Sequence, residues 1–221
     1  MNIRWLGHAS FLVQTRGKAV LFDPWFQKEG NRLVPPAASV MSLPKIDVIA
    51  ITHEHFDHWN AGEVEAIAGR NFSHVLAPSN VTSQLNLPAR LKVPVRSGES
   101  FNLEGLDFTV TQASHPQSTN PVGYTLSDEK VTVYHAGDTY DFAGLSLLRP
   151  DVALLPIGGT YTMDVLSAVT AVKKMYAKYV IPMHFNTFSN IRADHEDFAK
   201  RVKAHSKASP IKLAPGEAIE V

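Results

Sequence analysis

The chain has 221 residues with 21 Lys plus Arg against 21 Asp plus Glu, and this zero formal charge offers no broad cationic field for nucleic acid or an anionic membrane. Cysteine is absent, which excludes disulfides, thiolate metal ligands and a cysteine nucleophile, so any metal must be held by nitrogen and oxygen. Hydrophobic residues make up 44%, enough for a single core over residues 1–221 without covalent staples.

Met1 to His8 lacks the apolar stretch of a secretory leader, and no run of about 18 apolar residues follows, so a soluble, cytoplasmic protein is expected. Three β-rich runs come first: Ile3 to Leu6, Ser10 to Thr15 and Lys18 to Phe22. The short Gly-containing breaks between them predict an antiparallel meander. Gln27 to Pro44 is rich in Pro, Ala, Gly and Asn without periodicity, and a connection of that length is expected to be a lid or binding loop. Ile46 to Ile51 reads as a strand buried on both faces, stopping at Thr52 where histidines begin.

Ala61 to Gly69 carries helical spacing and is expected to end at its glycine, with strands to follow at Val75 to Ala77 and Leu91 to Val95. Leu106 to Thr111 and Val122 to Leu126 flank His115 as a strand pair. Val131 to His135 runs into Gly137-Asp138, and Val152 to Ile157 into Gly158-Gly159. Val165, Ala168, Val169, Val172 and Met175 share one face of a helix over Met163 to Ala177, with Asp164 suited to its first turn. Val180 to Met183 is a strand ending at His184, and Asp194 to Ser206 is a second amphipathic helix. A meander, β/α units, another β block and terminal helices suit two sheets packed face to face with helices outside.

The densest chemical signal is His53-x-His55-x-Asp57-His58, immediately after the Ile46 to Ile51 run and before a helix starting near Asn60. In a tight loop alternate side chains turn to different sides, so His53 and His55 can face one metal while Asp57 and His58 face a second a few ångströms away. Four ligands in six residues suit two metals better than one.

Thr52-His53-Glu54-His55-Phe56-Asp57-His58 resembles the T-H-x-H-x-D-H signature of the metallo-β-lactamase superfamily. Asp23 in Leu21-Phe22-Asp23-Pro24, His115 in Ala113-Ser114-His115-Pro116, Asp138 in Ala136-Gly137-Asp138-Thr139 and His184 in Pro182-Met183-His184-Phe185 stand in the order of that family's remaining motifs. The resemblance implies an α+β, four-layer αββα sandwich. It implies that His53, His55 and His115 bind a first metal, that Asp57, His58 and His184 bind a second, and that Asp138 bridges them. Asp23 would orient a ligand from behind. The implied cofactors are two divalent ions, zinc first, with Mn, Fe or Ni chemically acceptable. A metal-bridging hydroxide would then cleave an ester, lactone or similar bond of a small molecule. Leu6 to Phe11, Pro156 to Met163 and Met183 to Phe188 further resemble a small hydrolase branch of the superfamily, related to sugar-phosphate lactonases and phospholipase D-like members.

Asp57, Asp138 and His8 are the candidate catalytic residues, with His8 in a substrate-facing or supporting role. His135 is expected to be a buried, hydrogen-bonded strand histidine, and His74, His195 and His205 surface residues. The Gly158 to Met163 turn could offer helix N–H groups to an anionic substrate, and Trp25, Phe26 and Trp59 could line a pocket or pack at its rim. A metal-dependent phosphodiesterase or nuclease is the alternative function, disfavoured by the neutral charge. A noncatalytic metal-binding member is a further one. The expected partner is a small molecule, not nucleic acid or membrane, and a homo-oligomer is left open.

Overall fold

A computed structural model describes residues 1–27 and 31–221, so the 28–30 portion of the expected lid segment lies outside the described residues. Period-2 alternation explains the layering. In β1 (Asn2–Gly7), β2 (Ser10–Thr15), β3 (Lys18–Phe22) and β4 (Val48–Ala50), one set of side chains, including Trp5, Phe11, Val13, Val20, Phe22 and Val48, joins the apolar cluster shared with a second sheet. The alternate set, Leu6, Leu12, Leu21 and Ile49, meets Val64, Ile67 and Ala68 of helix α1 (Ala61–Asn71) in a separate cluster. The sheet is thus apolar on both faces, as a layer covered on both sides must be.

β5 (His74–Pro78), β6 (Lys92–Val95) and the late strand β14 (Ala218–Glu220) complete the first sheet, in the order β14-β1-β2-β3-β4-β5-β6. The β1-β2-β3 meander is antiparallel, and β3 to β6 run parallel. The second sheet is β7 (Ser100–Leu103), β8 (Leu106–Gln112), β9 (Val122–Ser127), β10 (Thr132–His135), β11 (Val152–Pro156), β12 (Tyr179–Met183) and β13 (Ser209–Pro210), in the order β13-β12-β11-β10-β9-β8-β7. A one-turn helix, α2 (Ser79–Thr82), follows β5. Helices α3 (Val165–Met175) and α4 (His195–His205) bury Ala168, Val172, Met175, Phe198 and Val202 in the cluster that holds the second sheet's Val152, Leu154 and Ile181. The result is the expected αββα sandwich.

Several boundaries differ from the sequence reading, each for a local reason. The strand within Ile46 to Ile51 is only Val48–Ala50; the buried Asp47 carboxylate accepts from the Ala19 N–H and pairs with Lys45 instead of packing in the apolar run. Helix α1 passes through Gly69 and stops at Phe72, whose left-handed φ of 57° lets its N–H return to the Ala68 carbonyl. Asp164 caps α3, its carboxylate accepting from Ser167 N at 2.8 Å while the Ser167 hydroxyl accepts from Asp164 N. The chain does not end in helices: β13 and β14 return it to the outer edges of the two sheets. Among the described residues no helix is long and apolar enough to cross a membrane.

The loops that carry chemistry follow the C-terminal ends of strands: Asp23 after β3, His53 after β4, His115 after β8, Asp138 after β10 and His184 after β12. Burial fixes these ends. Ile49→Ala, at a fully buried position between the first sheet and α1, is expected to cost about 2–5 kcal/mol of unfolding free energy in urea melts, with unchanged metal content in the folded fraction.

Candidate metal centre

Four side chains of the 53–58 loop and one from each of four distant loops converge at the edge of the sandwich. The nitrogens and oxygens of His53, His55, His115 and Asp138 lie within 4.8 Å of one another, and so do those of His8, Asp57, His58 and His184. Asp138 faces both groups. Its Oδ2 is 3.8 Å from His53 Nε2 and 3.9 Å from His115 Nε2, while its Oδ1 is 3.2 Å from both His58 Nε2 and His184 Nε2. In the first group His55 Nδ1 stands 3.0 Å from His53 Nε2 and 3.2 Å from His115 Nε2. In the second, His184 Nε2 is 3.6 Å from Asp57 Oδ2.

These donors fit divalent cations on a physical test. His58 Nε2, His184 Nε2 and Asp138 Oδ1 are buried with no hydrogen-bond partner, an arrangement that costs free energy unless something else binds them. Tetrahedral donors on bonds of 2.0–2.1 Å stand about 3.3 Å apart, close to the 3.2 Å spacings here. The loop alternates as expected from sequence, with His53 and His55 turned to one group and Asp57 and His58 to the other.

A buried carboxylate organises the histidines from behind. Asp23 Oδ2 accepts from His58 Nδ1 at 2.7 Å and from the Thr52 hydroxyl at 2.8 Å, and its Oδ1 accepts from Thr52 N at 2.8 Å. The same hydroxyl accepts from His53 Nδ1 at 3.0 Å, so one carboxylate sets the tautomer of two imidazoles, one in each group. His115 Nδ1 donates to the Tyr161 carbonyl at 3.1 Å and His55 Nε2 to the Gln117 carbonyl at 3.2 Å. His8, Asp23 and His184 have φ of 54°, 41° and 55°, a left-handed strain that recurs where side chains are aimed by their surroundings. Glycine meets two close approaches: a Cβ on Gly137 would lie 2.7 Å from Thr52 Cβ, and one on Gly158 would lie 2.3 Å from the His184 carbonyl oxygen.

Electrostatics divide the histidines. Burial, reinforced by His58, holds the His53 imidazole well below the usual range, and burial lowers His115 too, so both are neutral and ready to donate a lone pair. Burial also opposes charge on His58 and His184, but Asp138 outweighs it, holding His58 well above the ordinary value and His184 at about 9. Asp138, despite burial, is held well below the carboxylate range by His184 and His58.

His8 is fully buried, with Nε2 3.2 Å from Asp57 Oδ2 and its ring 4.0 Å from that of His184. Its carbonyl accepts from Trp5 Nε1 and His184 N. It lines a neighbouring cavity with Trp5, Val34 and Phe185 rather than the one beside Asp138. At the N-terminal turn of α3 the chain's own Asp164 carboxylate accepts from Ser167 N, while Thr160 and Tyr161 of the preceding turn line the cavity beside Asp138. Trp25, Phe26 and Trp59 are core residues; the cavity is lined instead by Phe56, Tyr161 and Phe188. His135 is buried as expected, Nε2 donating to the Ala9 carbonyl at 2.8 Å and its ring stacking on Phe22. His74 and His195 are half-buried and His205 is exposed.

Two contributors were not marked by the sequence reading. Glu54 accepts from the Ser118 hydroxyl at 2.7 Å and Thr119 N at 2.9 Å, clamping the loop after His115 to the 53–58 loop. Phe56, between two metal-facing residues, is exposed at the cavity mouth. Only an unexplained charge and an unexplained apolar residue inside the motif hinted at either.

A model of the β-lactamase superfamily domain matches residues 2–184. A UPF0173 metal-dependent hydrolase of Pyrobaculum arsenaticum is 37% identical, covering 100% of both chains. One from Staphylothermus marinus is 38% identical over 97% of this chain and 96% of its own. Igni18, a metallo hydrolase from Ignicoccus hospitalis, superimposes with a TM-score of 0.87 at 31% identity, covering 99% of this chain and 97% of its own.

Asp23→Asn, which keeps a shape tolerant of positive φ but replaces acceptor oxygens by an amide, is expected to weaken metal affinity about 10–100-fold in competition with a chelator. Metal uptake near pH 7 is expected to release protons from His58 and His184. Affinity should rise with pH until His184 loses its proton near 9, as calorimetry in buffers of different ionisation enthalpy would show.

Proposed function

Since the chain belongs to the metallo-β-lactamase superfamily, among whose members its relatives are metal-dependent hydrolases, we propose that it is a dinuclear hydrolase cleaving an ester, lactone or similar bond of a small molecule. The observation that carries this reading is Asp138, whose two oxygens address two separate donor groups. Two bound divalent cations, zinc first for a thiolate-free imidazole and carboxylate set, supply acidity to water and polarise the substrate's carbonyl oxygen.

The chain's own residues do the holding and orienting. His53, His55 and His115 with Asp138 Oδ2 form one cradle, and Asp57, His58 and His184 with Asp138 Oδ1 form the other. His8 donates from Nε2 to Asp57, fixing the carboxylate. Burial and the neighbouring His184 push its imidazole down to about 3, so it remains a neutral donor at any pH near neutrality. Its Nδ1, buried and unpartnered, then carries a lone pair and strands no N–H. His8 thus positions Asp57, whereas Asp57 and Asp138 stand next to the reacting atoms. We assign the whole of 1–221 to one catalytic domain acting on a small molecule, with the cytoplasm as its compartment.

The test is turnover by zinc- or manganese-loaded protein on lactone, thioester, aryl ester and bis-p-nitrophenyl phosphate substrates. Lactone or ester hydrolysis is expected, lost on chelation and restored by metal. His55→Ala and Asp138→Ala are each expected to lower kcat/KM by on the order of 10³ or more while leaving the circular dichroism spectrum intact. Activity on the phosphodiester alone would replace this reading with the phosphodiesterase one, and stoichiometric metal without turnover would favour a noncatalytic member.

A further inference from the structure

The cavity beside the metal centre, about 590 Å³, has walls of a definite chemistry. Phe56 and Tyr161 are 69% and 58% exposed at its mouth, and Phe188 and Ile191 continue the apolar surface inward. Solvated aromatic rings held at such a place are costly to leave bare and gain by covering an apolar ligand. They are braced from behind: Phe188 lies 5.6 Å from the Trp25 ring and 6.2 Å from Phe56, and Phe56 meets Trp25 edge-on at 6.1 Å.

The polar lining apart from the metal-facing residues is neutral: Asn31, Gln117, Thr160 and Asn190. Among the described residues no Lys or Arg lines the cavity. Arg32, next in sequence to Asn31, is turned away, its guanidinium over the Trp25 ring at 4.0 Å and bonded to the Val34, Trp25 and Gln27 carbonyls. The nearby acidic side chain is Glu54, whose carboxylate accepts from the Ser118 hydroxyl at 2.7 Å and Thr119 N at 2.9 Å. Among the described residues a phosphate, sulfate or remote carboxylate on a substrate would give up water here and find no Lys or Arg to replace it, whereas enzymes that take phosphorylated substrates place Arg, Lys or backbone N–H groups at the anion.

We propose that the substrate carries an uncharged, apolar group, aryl or branched alkyl, beside its scissile bond, seated against Phe56, Tyr161 and Phe188, and that phosphorylated and other anionic analogues are rejected. This rests on the metal-centre reading above and narrows its substrate class, setting the protein apart from sugar-phosphate lactonases.

Hydroxamates test it without needing turnover, because one metal-binding head can carry different tails. Binding of acetohydroxamate, benzohydroxamate and 4-sulfonatobenzohydroxamate to zinc-loaded protein is measured by calorimetry at low ionic strength. Benzohydroxamate is expected to bind at least tenfold tighter than its sulfonated analogue, and Phe56→Lys is expected to shrink that ratio at least threefold. Tyr161→Lys, at a second exposed position, is expected to do the same and serves if the first variant fails to fold. Equal or tighter binding of the sulfonated compound, or a ratio unchanged in both folded variants, would overturn the proposal. Acetohydroxamate separates the two readings: if it binds and the tails are not discriminated, only the cavity proposal fails, whereas no binding of any of the three to metal-loaded protein sinks the metal-centre reading and the proposal together.

Discussion

The buried carboxylate of Asp23 is the interaction on which the site depends. It receives Thr52 by backbone and hydroxyl, His58 directly and His53 through the Thr52 hydroxyl, all in a region sealed from water. In that low-dielectric setting each bond is strong, and an unmet partner would be expensive, so the loop after β4 has little choice of geometry. The position of Asp23 is itself bought with a left-handed φ, supported by its N–H on the Ala50 carbonyl and the Ser10 hydroxyl on its own carbonyl.

From there order spreads by loop-to-loop bonds. Val122 N on the Thr52 carbonyl ties the metal loop to β9, Ser114 N on the Thr139 hydroxyl joins the His115 and Asp138 loops, and Met163 N on the Thr139 carbonyl brings in the turn that supplies Tyr161. Glu54 closes the circuit from the opposite side. His53, His55, His58 and His115 are each held by a neighbouring group on the side away from the cluster, a condition for donors to keep a shape that would fit a cation before one arrives.

Much of this was legible in the chain. The His53-x-His55-x-Asp57-His58 loop, the order of Asp23, His115, Asp138 and His184, and strands such as Ser10–Thr15 and Lys18–Phe22 could be read because apolar period and donor spacing are local properties. What stayed hidden was set by partners far along the chain. Glu54 gains its role from residues 64 and 65 positions away, and β13 and β14 are too short to carry a period and exist through pairing with β12 and β1. Phe72 rather than Gly69 ends α1, because a non-glycine residue accepted left-handed backbone, which pattern alone does not reveal.

The donors are divided between the two layers: the 53–58 loop extends from the first sheet, while His115, Asp138 and His184 extend from the second. A cation gripped there would act as a rivet through the sandwich, since the layers could not part without releasing it. With a cation bound, resistance to unfolding would be coupled to free metal concentration, growing as RT ln(1 + [M]/Kd), and a starved cell would lose the protein's durability together with its chemistry.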